Sequence, residues 1–379
     1  MQKRNRSRII YLVASILALL VLALAVIYPR ARQQWMTPLG PGLQLPTYTP
    51  AIESISPTVA AAALTPTGSS AAASVVPTST TPPLTPTPQP LCGGPPVMVV
   101  LGIGADADDY DYGLADVIRI ARIDFTIPKV SVLSIPRDLW VQIPDINTKY
   151  DITAGKLNQA YFYGGPGMGY YTGPGTGAGL LARTLDLNFG MRVDHYGAVN
   201  MNTFVKIIDA LGGIDVTLEK AVDGRSEDPS TIDLGFFPVG QHHFSGEEAL
   251  RFSRVRKLYN DFTRQDNQTL VLCALRKKIT EPATLIKLPK IIAAFQNAVL
   301  TDLTPEQLTQ LACLAPQLTR QNILFTRLPD ELFSPGRVLD PRRDRTTFVL
   351  EADYDQIQTY VKSFLSGEWP TEPKEPTCP

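Results

Sequence analysis

This sequence of 379 residues predicts an α/β fold, a mixed central β-sheet with helices on both faces, preceded by one transmembrane helix and a disordered linker rich in proline and threonine. Three observations predict it. Residues 9–28 form an apolar run without a charge, and the stretch from there to residue 95 carries few charges and many prolines. After that stretch, apolar runs typical of strands alternate with segments of helical periodicity, as in layered α/β domains.

The apolar run at residues 9–28 is long enough to cross a bilayer as a helix. At about 1.5 Å per residue it spans the roughly 30 Å of hydrocarbon. Arginines rather than a small-residue cleavage site follow it, which favours an uncleaved anchor over a signal peptide. Because residues 1–8 carry four basic side chains, the positive-inside rule keeps that end cytoplasmic. We therefore expect a single-pass protein of the cell membrane, with the bilayer as a partner and the rest of the chain extracytoplasmic.

Residues 29–95 are expected to form the linker. Prolines and small polar residues bury too little apolar surface to offset chain entropy, and frequent proline favours extended polyproline II. Such a linker would hold a domain well above the bilayer. The domain is expected over residues 96–370 as one unit, because no further linker interrupts it. Since 35 basic side chains balance 36 acidic ones, a polybasic nucleic-acid-binding protein is not favoured.

The strands of the domain are predicted from continuous apolar runs. The first run, VMVVLGIG, ends in glycine and suits a central strand covered on both faces. The next two runs are close enough in sequence to form a hairpin. The predicted strands are Val97–Gly104, Val117–Phe125, Lys129–Ile135, His195–Val199 and Ile214–Leu218.

The helices are predicted from caps and apolar spacing. Asn200 suits an N-cap before apolar residues at helical spacing, and Gly212 with Gly213 ends that helix. A capping box at Ser245 opens a short helix, and Asp261–Ile279 forms a longer one.

Two further helical segments are predicted at residues 304–318 and Tyr354–Leu365, packed on the same sheet. The glycine-rich stretch from Gly164 to Gly179 is expected to be a loop, either a flexible lid or an inert insertion.

The chain has four cysteines, and their spacing does not match a metal site. In an extracytoplasmic domain disulfides are plausible. We expect the pairs Cys273–Cys313, between two predicted helices, and Cys92–Cys378, between the two ends of the domain. The alternative is that the thiols are free and buried.

Asp106 and Asp116 are the candidate metal ligands. Asp106 follows the first predicted strand, and Asp116 stands at the start of the second. Ligands of open α/β sheets bind at strand ends, and Mg²⁺ takes one or two carboxylates and completes its octahedron with water and phosphate oxygens. The alternative is an ordinary acidic loop.

Four arginines gather at predicted strand and helix ends. Arg137 leaves a strand in the sequence IPRD, and Arg254 and Arg256 share a face in an extended segment. Asp261 and Arg264 are three residues apart in the first turn of a helix, so they point together. Because guanidinium groups bind phosphate bidentately, the pattern predicts an anionic, phosphate-bearing ligand. The alternatives are solvated surface arginines and, for Asp261, an N-cap.

The sequence lacks the motifs of several classes of protein. A glycine-rich Walker sequence is absent from the sequence, so a nucleotide is not indicated. The three histidines are too few and wrongly spaced for zinc. No serine or cysteine lies in a nucleophile elbow, which removes the commonest hydrolase interpretations.

The order of the polar motifs resembles the LytR-CpsA-Psr family of bacterial envelope proteins. The resemblance covers about residues 97–280 and includes a single N-terminal anchor with an external domain. The motifs are GAD, LADVIRIARID, VSVLSIPRDLWVQIP, KLNQAY, DHYGAVNMNTFVKIIDALGGIDV, GQHHFSGEEALRFSRVR and NDFTRQDNQ.

The resemblance implies an enzyme. Members are phosphotransferases that take a glycopolymer from an undecaprenyl-diphosphate carrier and attach it to peptidoglycan through a phosphodiester, with Mg²⁺ at the pyrophosphate. The family's apolar groove between sheet and helices would take the polyprenyl chain. The metal ligands implied are Asp106 and Asp116, the catalytic residues are Arg256, Asp261 and Arg264, and the substrate-binding residues are Arg137, Lys156, Asn158, Arg254, Arg256, Arg264 and Gln268. Position alone makes Asp261 the candidate general base.

Two departures from the family pattern keep alternatives open. The family reads Arg-Ser-Asp-Thr where this chain has Leu114-Ala115-Asp116-Val117, and its Arg-Gln pair is Asn267-Gln268 here. The loss of an arginine at Leu114 fits a non-catalytic envelope protein that binds polyprenyl phosphates or wall glycans as a scaffold or regulator. A further alternative is a Mg²⁺ pyrophosphatase that releases the polymer to water.

Overall fold

The computed structural model describes residues 29–30, 32–45, 89–146, 150–226, 228, 231–256, 261–285, 298–340, 345–371 and 378. The predicted anchor at residues 9–28 and most of the predicted linker lie outside these residues. Among the helices that are described, none is both long and apolar enough to cross a bilayer.

The described residues form a mixed α/β domain. Its strands are β1 (Val97–Ala105), β2 (Ala115–Asp124), β3 (Lys129–Ser134), β4 (Trp140–Gln142), β5 (Ala154–Lys156), β6 (His195–Asn200), β7 (Ile214–Leu218), β8 (Val222–Asp223), β9 (Phe236–Phe237), β10 (Gly240–Phe244), β11 (Leu300–Thr301), β12 (Ile323–Arg327), β13 (Phe333–Asp340) and β14 (Arg345–Ala352). Its helices are α1 (Leu157–Gly164), α2 (Thr176–Phe189), α3 (Met201–Ala210), α4 (Gly246–Arg254), α5 (Asp261–Thr280), α6 (Pro282–Leu285), α7 (Pro305–Leu314) and α8 (Tyr354–Ser366).

The central sheet has six strands in the order β11-β6-β1-β2-β3-β12. Strand β1 pairs antiparallel with β2 and parallel with β6, and β2 forms the predicted hairpin with β3. Strand β12 is parallel to β3, whereas β11 is antiparallel to β6. The sheet is therefore mixed, as the sequence predicts, and the apolar run of β1 lies in its interior.

Alternate residues of β1 and β2 face two helical layers, because side chains in a strand point to opposite faces. On one face, Leu101 and Ile120 belong to the main core together with residues of α1, α2 and α8. On the other face, Met98 packs with Leu314 of α7 in a smaller core. Helices therefore cover both faces, which confirms the predicted layering.

Helices α3, α4 and α5 form a further layer with the small sheet of β7 and β10. This layer has its own core, in which the rings of Phe237, Phe244 and Phe252 are in mutual contact. Asn200 caps α3 as predicted, accepting a hydrogen bond from the N–H of Thr203, and the predicted capping box opens α4.

The predicted glycine-rich loop is shorter than expected. Helix α2 begins at Thr176, so Gly177 and Gly179 are helical, although glycine is a poor helix former. A Cβ atom at Gly177 would lie 2.6 Å from the carbonyl oxygen of Tyr161 in α1. Close packing between α1 and α2 therefore requires glycine here and outweighs its low helix propensity.

The expected disulfide pairing was wrong. The bonds are Cys92–Cys313 and Cys273–Cys378. Cys92 lies in a short turn, Leu91–Gly93, that packs against α7, which carries Cys313, whereas the C-terminal Cys378 reaches α5. The number and spacing of cysteines do not determine connectivity, so only the tertiary fold could decide it.

Part of the predicted linker packs on the domain. The N–H of Leu39 donates to the carbonyl oxygen of Leu303 at 3.2 Å, and Leu43 is only 4% exposed within the main core. At Gly40 the chain approaches Thr301 so closely that a Cβ atom would lie 2.6 Å from its carbonyl oxygen. For residues 39–45 the structure therefore differs from the expected linker.

Candidate functional site

A β-bulge places the two candidate metal ligands at the end of β1 and β2. Gly104 pairs with Val117 and Ala105 with Ala115, so Asp116 is the extra residue between them. The N–H groups of Asp106 and Asp116 both donate to the carbonyl oxygen of Leu114 at 2.9 Å. Bulges redirect side chains and are frequent beside active sites. Here the bulge and the Leu114 carbonyl oxygen beside it bring the two aspartates of the sequence prediction together.

The two carboxylates interact electrostatically. Burial and then the negative charge of Asp116 raise the pKa of Asp106 above its usual value, while Arg254 and Arg137 oppose the rise. The Oδ1 atom of Asp116 is buried and has no hydrogen-bond partner among the described residues. No group of three or more candidate metal-ligating side chains occurs in the described part of the chain. The donor set is therefore a carboxylate pair with one unsatisfied oxygen, which fits Mg²⁺ completed by water and phosphate oxygens.

Two buried arginines converge on Asp116. Its Oδ2 atom accepts from Nη1 of Arg137 and from Nη1 of Arg264, the latter at 3.3 Å. Nη2 of Arg264 also contacts Oδ1 of Asp261 at 2.5 Å, and the Oδ2 atom of Asp261 accepts from Gln265 at 2.9 Å. Since Arg264 and Asp261 are in the first turn of α5, this network joins that turn to β2.

The segment after β3 supplies a second set of charges. Asp138 lies 3.5 Å from Nε of Arg137 and 2.8 Å from Nζ of Lys156. Burial raises the pKa of Asp138, but the charges of Arg137 and Lys156 outweigh burial and leave it below its usual value. Burial lowers the pKa of Arg137, and the neighbouring aspartates outweigh that effect and raise it. Arg137 therefore stays charged in a buried position.

Asn158, in the first turn of α1, adds a polar group to this side of the site. Its N–H donates to the carbonyl oxygen of Arg137 at 3.1 Å. Its side chain is buried, and its Oδ1 atom has no hydrogen-bond partner among the described residues.

Arg254 and Arg256 occupy the more accessible side of the site. Arg254 ends α4 and lies 3.5 Å from Asp106, with about a third of its side chain exposed. Arg256 reaches solvent, yet partial desolvation and the nearby charges of Arg137 and Arg264 lower its pKa. Cations that repel one another in this way favour binding of an anion.

Gln268 does not join the charged cluster directly. Its amide nitrogen donates to the carbonyl oxygen of Ser253 at 3.4 Å, and the neighbouring Asn267 donates to that of Val255. Both side chains are buried and hold α5 against the end of α4. The residue at the second family departure, Asn267, is thus part of a helix contact.

An apolar cavity of about 560 Å³ lies beside the charged cluster, between the sheet and α3, α4 and α5. Asp106, Asp116 and Arg264 line its polar end, and apolar side chains such as Val132, Leu275 and Phe325 line most of the remaining wall. Gly102 and Gly197 are paired in β1 and β6 and leave room in the wall. Cavities of this size and lining suit an apolar ligand held by a few polar groups.

Three contributing residues were missed at the sequence level. Asp138 follows Arg137 directly, so its position in IPRD was an available signal. Gln265 lies one helical turn after its partner Asp261, so the helical spacing was also a signal. The cavity residue Arg119 carries no such signal, because its partners on α5 are distant in sequence.

The site is a cationic cleft that contains two carboxylates, and an apolar cavity lies beside it. The sequence model of the LytR_cpsA_psr family matches residues 93–363. The chain therefore belongs to the LytR-CpsA-Psr family.

Related sequences agree with this assignment. The chain is 33% identical over 217 residues to the polyisoprenyl-teichoic acid–peptidoglycan teichoic acid transferase TagU of Bacillus cereus (strain AH820), covering 56% of this chain and 62% of that protein. It is 29% identical over 207 residues to the regulatory protein MsrR of Staphylococcus aureus (strain COL), covering 54% and 56%. In both cases less than two thirds of the relative is matched.

Solved structures share the fold. B. subtilis TagV aligns with a TM-score of 0.55 at 24% identity, covering 71% of this chain and 97% of that one. TagT bound to LIIa-WTA aligns with a TM-score of 0.51 at 19% identity, covering 71% and 90%. These likenesses support the mixed α/β architecture.

Proposed function

We propose that this chain is a membrane-anchored phosphotransferase that moves a glycopolymer from an undecaprenyl-diphosphate carrier to peptidoglycan, with Mg²⁺ as cofactor and its domain outside the cytoplasm. The printed name of the TagU relative, a transferase from a polyisoprenyl-linked polymer to peptidoglycan, supports this proposal. The two disulfides are consistent with an extracytoplasmic location.

One observation carries the proposal: the arginine cluster lies at the polar end of an apolar cavity. A polyprenyl diphosphate has the same division, an apolar chain joined to a charged head. Phosphoryl transfer needs charge neutralisation and alignment more than it needs a covalent nucleophile. Fixed guanidinium groups supply both.

The arginines differ in how firmly the protein holds them, and this difference indicates different roles. Arg137 and Arg264 are buried and fixed by Asp116 and Asp261, so they are oriented before substrate arrives. Pre-oriented charges stabilise a transition state without reorganisation. Arg254 and Arg256 are more accessible and are placed to meet the incoming phosphates.

Asp106 and Asp116 would hold Mg²⁺. When bound, the ion neutralises charge on the phosphate oxygens and polarises them. Burial and, after it, the repulsion between the two carboxylates raise the pKa of Asp106. A cation shared by both would relieve that repulsion.

Asp261 has a better-supported role as a positioning residue than as a base. Its Oδ1 atom contacts Arg264 and its Oδ2 atom accepts from Gln265. With both oxygens engaged, Asp261 holds the Arg264 guanidinium toward Asp116.

The second candidate function is binding of a polyprenyl phosphate or wall glycan without turnover, as a scaffold or regulator. Leu114 favours it, because an apolar side chain stands next to the bulge at the position where the family has an arginine. The relative MsrR is named a regulatory protein.

The test is transfer by the purified full chain in detergent, from a polyprenyl-diphosphate-linked glycan to peptidoglycan fragments, with and without Mg²⁺. Arg264→Ala should lower kcat about 100-fold or more, because it removes a buried charge that faces the phosphates. Arg225→Ala is the matched control, since Arg225 forms an exposed ion pair with Asp223. Arg225→Ala should transfer at the wild-type rate.

Product analysis separates the alternatives. Transfer to peptidoglycan supports the proposal. Release of the polymer to water alone indicates a pyrophosphatase instead. Lipid binding without turnover, across metals and acceptors, contradicts the enzyme and supports the binding protein.

A further inference from the structure

Arg119 is a buried arginine in the wall of the apolar cavity, outside the charged cluster. Arg119 lies on β2, three residues after Asp116, and is 6% exposed. Burial lowers its pKa to about 10. A buried charge is expensive, and replacing it with an apolar side chain of similar size is often neutral or stabilising. Its location therefore calls for an explanation other than stability.

The Arg119 guanidinium spans from the sheet to α5. Nη2 donates to the carbonyl oxygen of Gln265 at 3.0 Å, and both Nη atoms donate to Oγ1 of Thr269 at 3.2 Å. The Thr269 hydroxyl itself donates to the same Gln265 carbonyl oxygen at 2.8 Å. This closed set of hydrogen bonds attaches β2 to the second and third turns of α5.

The two attached elements carry the two halves of the site. Strand β2 carries Asp116, and the first turn of α5 carries Asp261 and Arg264, which must meet Asp116. Gln265 connects Arg119 to the charged site, because its backbone oxygen accepts from Arg119 while its side chain donates to Asp261. A shift of α5 along β2 would therefore separate Arg264 from Asp116.

We propose that Arg119 is a positioning residue for the transfer reaction, fixing α5 on β2 so that Arg264 and Asp261 stay aligned with Asp116. This role rests on the proposed function. Arg119 does not need to touch the phosphates, since its Nη atoms are committed to α5. A displacement of about 1 Å at such a site can cost about 100-fold in rate.

Arg122 provides a matched control on the same strand. It is 9% exposed, and its Nε atom donates to the carbonyl oxygen of Leu365 at 3.0 Å. It therefore attaches the end of α8, a helix without site residues, to β2. Arg119→Met and Arg122→Met each remove a buried guanidinium group from β2. The first breaks the attachment of α5, and the second breaks the attachment of α8.

The kinetic experiment compares these variants in the transfer assay. Arg119→Met should lower kcat about 10- to 100-fold without raising KM for the lipid-linked substrate, because methionine keeps the cavity apolar. Arg122→Met should keep wild-type kcat. Thr269→Val removes the hydroxyl that accepts from Arg119 and should also lower kcat. Because both substitutions break the same contact, the double variant should lose no more kcat than Arg119→Met alone. A raised KM at unchanged kcat, additive losses, or an equal loss in Arg122→Met would overturn the proposal.

Hydrogen exchange gives a readout that does not depend on turnover. Arg119→Met should speed amide exchange in residues 261–272, and Arg122→Met should leave that segment unchanged. Unchanged exchange in Arg119→Met contradicts the positioning role even if the enzyme is active. A wild-type chain without transfer activity contradicts the proposed function, while faster exchange would still support the attachment of α5 by Arg119.

Discussion

Asp116 shows how one residue acquires a role from the backbone around it. As the extra residue of a bulge it has no cross-strand partner, so its side chain is free to enter the site. One of its oxygens is held by two arginines and the other is left without a partner among the described residues. A single side chain thus joins two buried arginines to the candidate metal position.

Gly197 allows a test of the cavity at the scale of one residue. A Cβ atom there would meet nothing within 4 Å, and its backbone conformation does not require glycine. Gly197→Leu should therefore fold normally, while its side chain fills part of the cavity in which we propose that the polyprenyl chain binds. We expect binding of a polyprenyl phosphate to weaken about tenfold or more, measured by calorimetry in detergent, with an unchanged Tm. Each 1.4 kcal/mol of lost contact is tenfold in affinity.

Gly197→Ala is the graded control for this variant, because one methyl group leaves most of the cavity open. Its affinity should lie between those of the wild type and Gly197→Leu. Wild-type affinity in Gly197→Leu would show that the apolar chain binds elsewhere.

The candidate site was predictable only where local sequence carries the signal. Asp106 and Asp116 stand at strand ends, and Asp261 and Arg264 share a helical turn, so spacing placed them correctly relative to their elements. The bulge and the contact between Arg119 and α5 depend on pairing of distant segments. No local pattern records such pairing.

Strand β2 and helix α5 are the elements on which the site depends. Along β2, Arg119 holds a helix on one face and Arg122 holds a helix on the other. Helix α5 carries site residues in its first turn, cavity residues in its middle and a disulfide at Cys273. Displacement of either element would alter the charged cluster and the cavity together.

The disulfides are testable at the scale of elements. Peptide mapping under non-reducing conditions should recover Cys92 linked to Cys313 and Cys273 linked to Cys378. The double variant Cys273→Ala, Cys378→Ala should lower the free energy of unfolding by about 2–5 kcal/mol, because that bond closes a long loop. Urea denaturation measures the change. Recovery of a peptide joining Cys273 to Cys313 would contradict the described pairing.

Sequence patterns predicted the elements better than their connections. Apolar runs and caps located β1, β2, β3, β6 and most helices, because hydrophobic period and capping are local properties. Helix α2 was not predicted, because its first turn contains glycines, of which Gly177 is required by contact with α1. The cysteine pairs were wrong for the same reason, a dependence on which elements meet.

At the scale of the whole molecule, the domain combines layers with separate cores. The main core joins one face of the sheet to α1, α2 and α8, and the small sheet packs with α3, α4 and α5 in another. The cavity lies between the sheet and the second of these layers. Alternating strands and helices predicted the layers, but the space between them results from glycines and from how the layers meet.

Substitution of Leu43 tests whether residues 39–45 pack on the domain in solution. Leu43→Ala should lower the free energy of unfolding by about 2–5 kcal/mol, as for other buried leucines. Leu187→Ala is the matched control, because Leu187 is 47% exposed, and should change it by less than about 0.5 kcal/mol. Urea denaturation of the full chain in detergent measures both. Equal, small effects would show that residues 39–45 do not pack in solution.

The domain holds the chain on both sides of the proline-rich stretch. Leu43 precedes that stretch and Leu91 follows it, and both are held by the same domain, Leu91 through the carbonyl oxygen of Phe125. If residues 9–28 anchor the chain as we propose, the segment between them and Leu39, and not the proline-rich stretch, would set the distance of the domain from the bilayer.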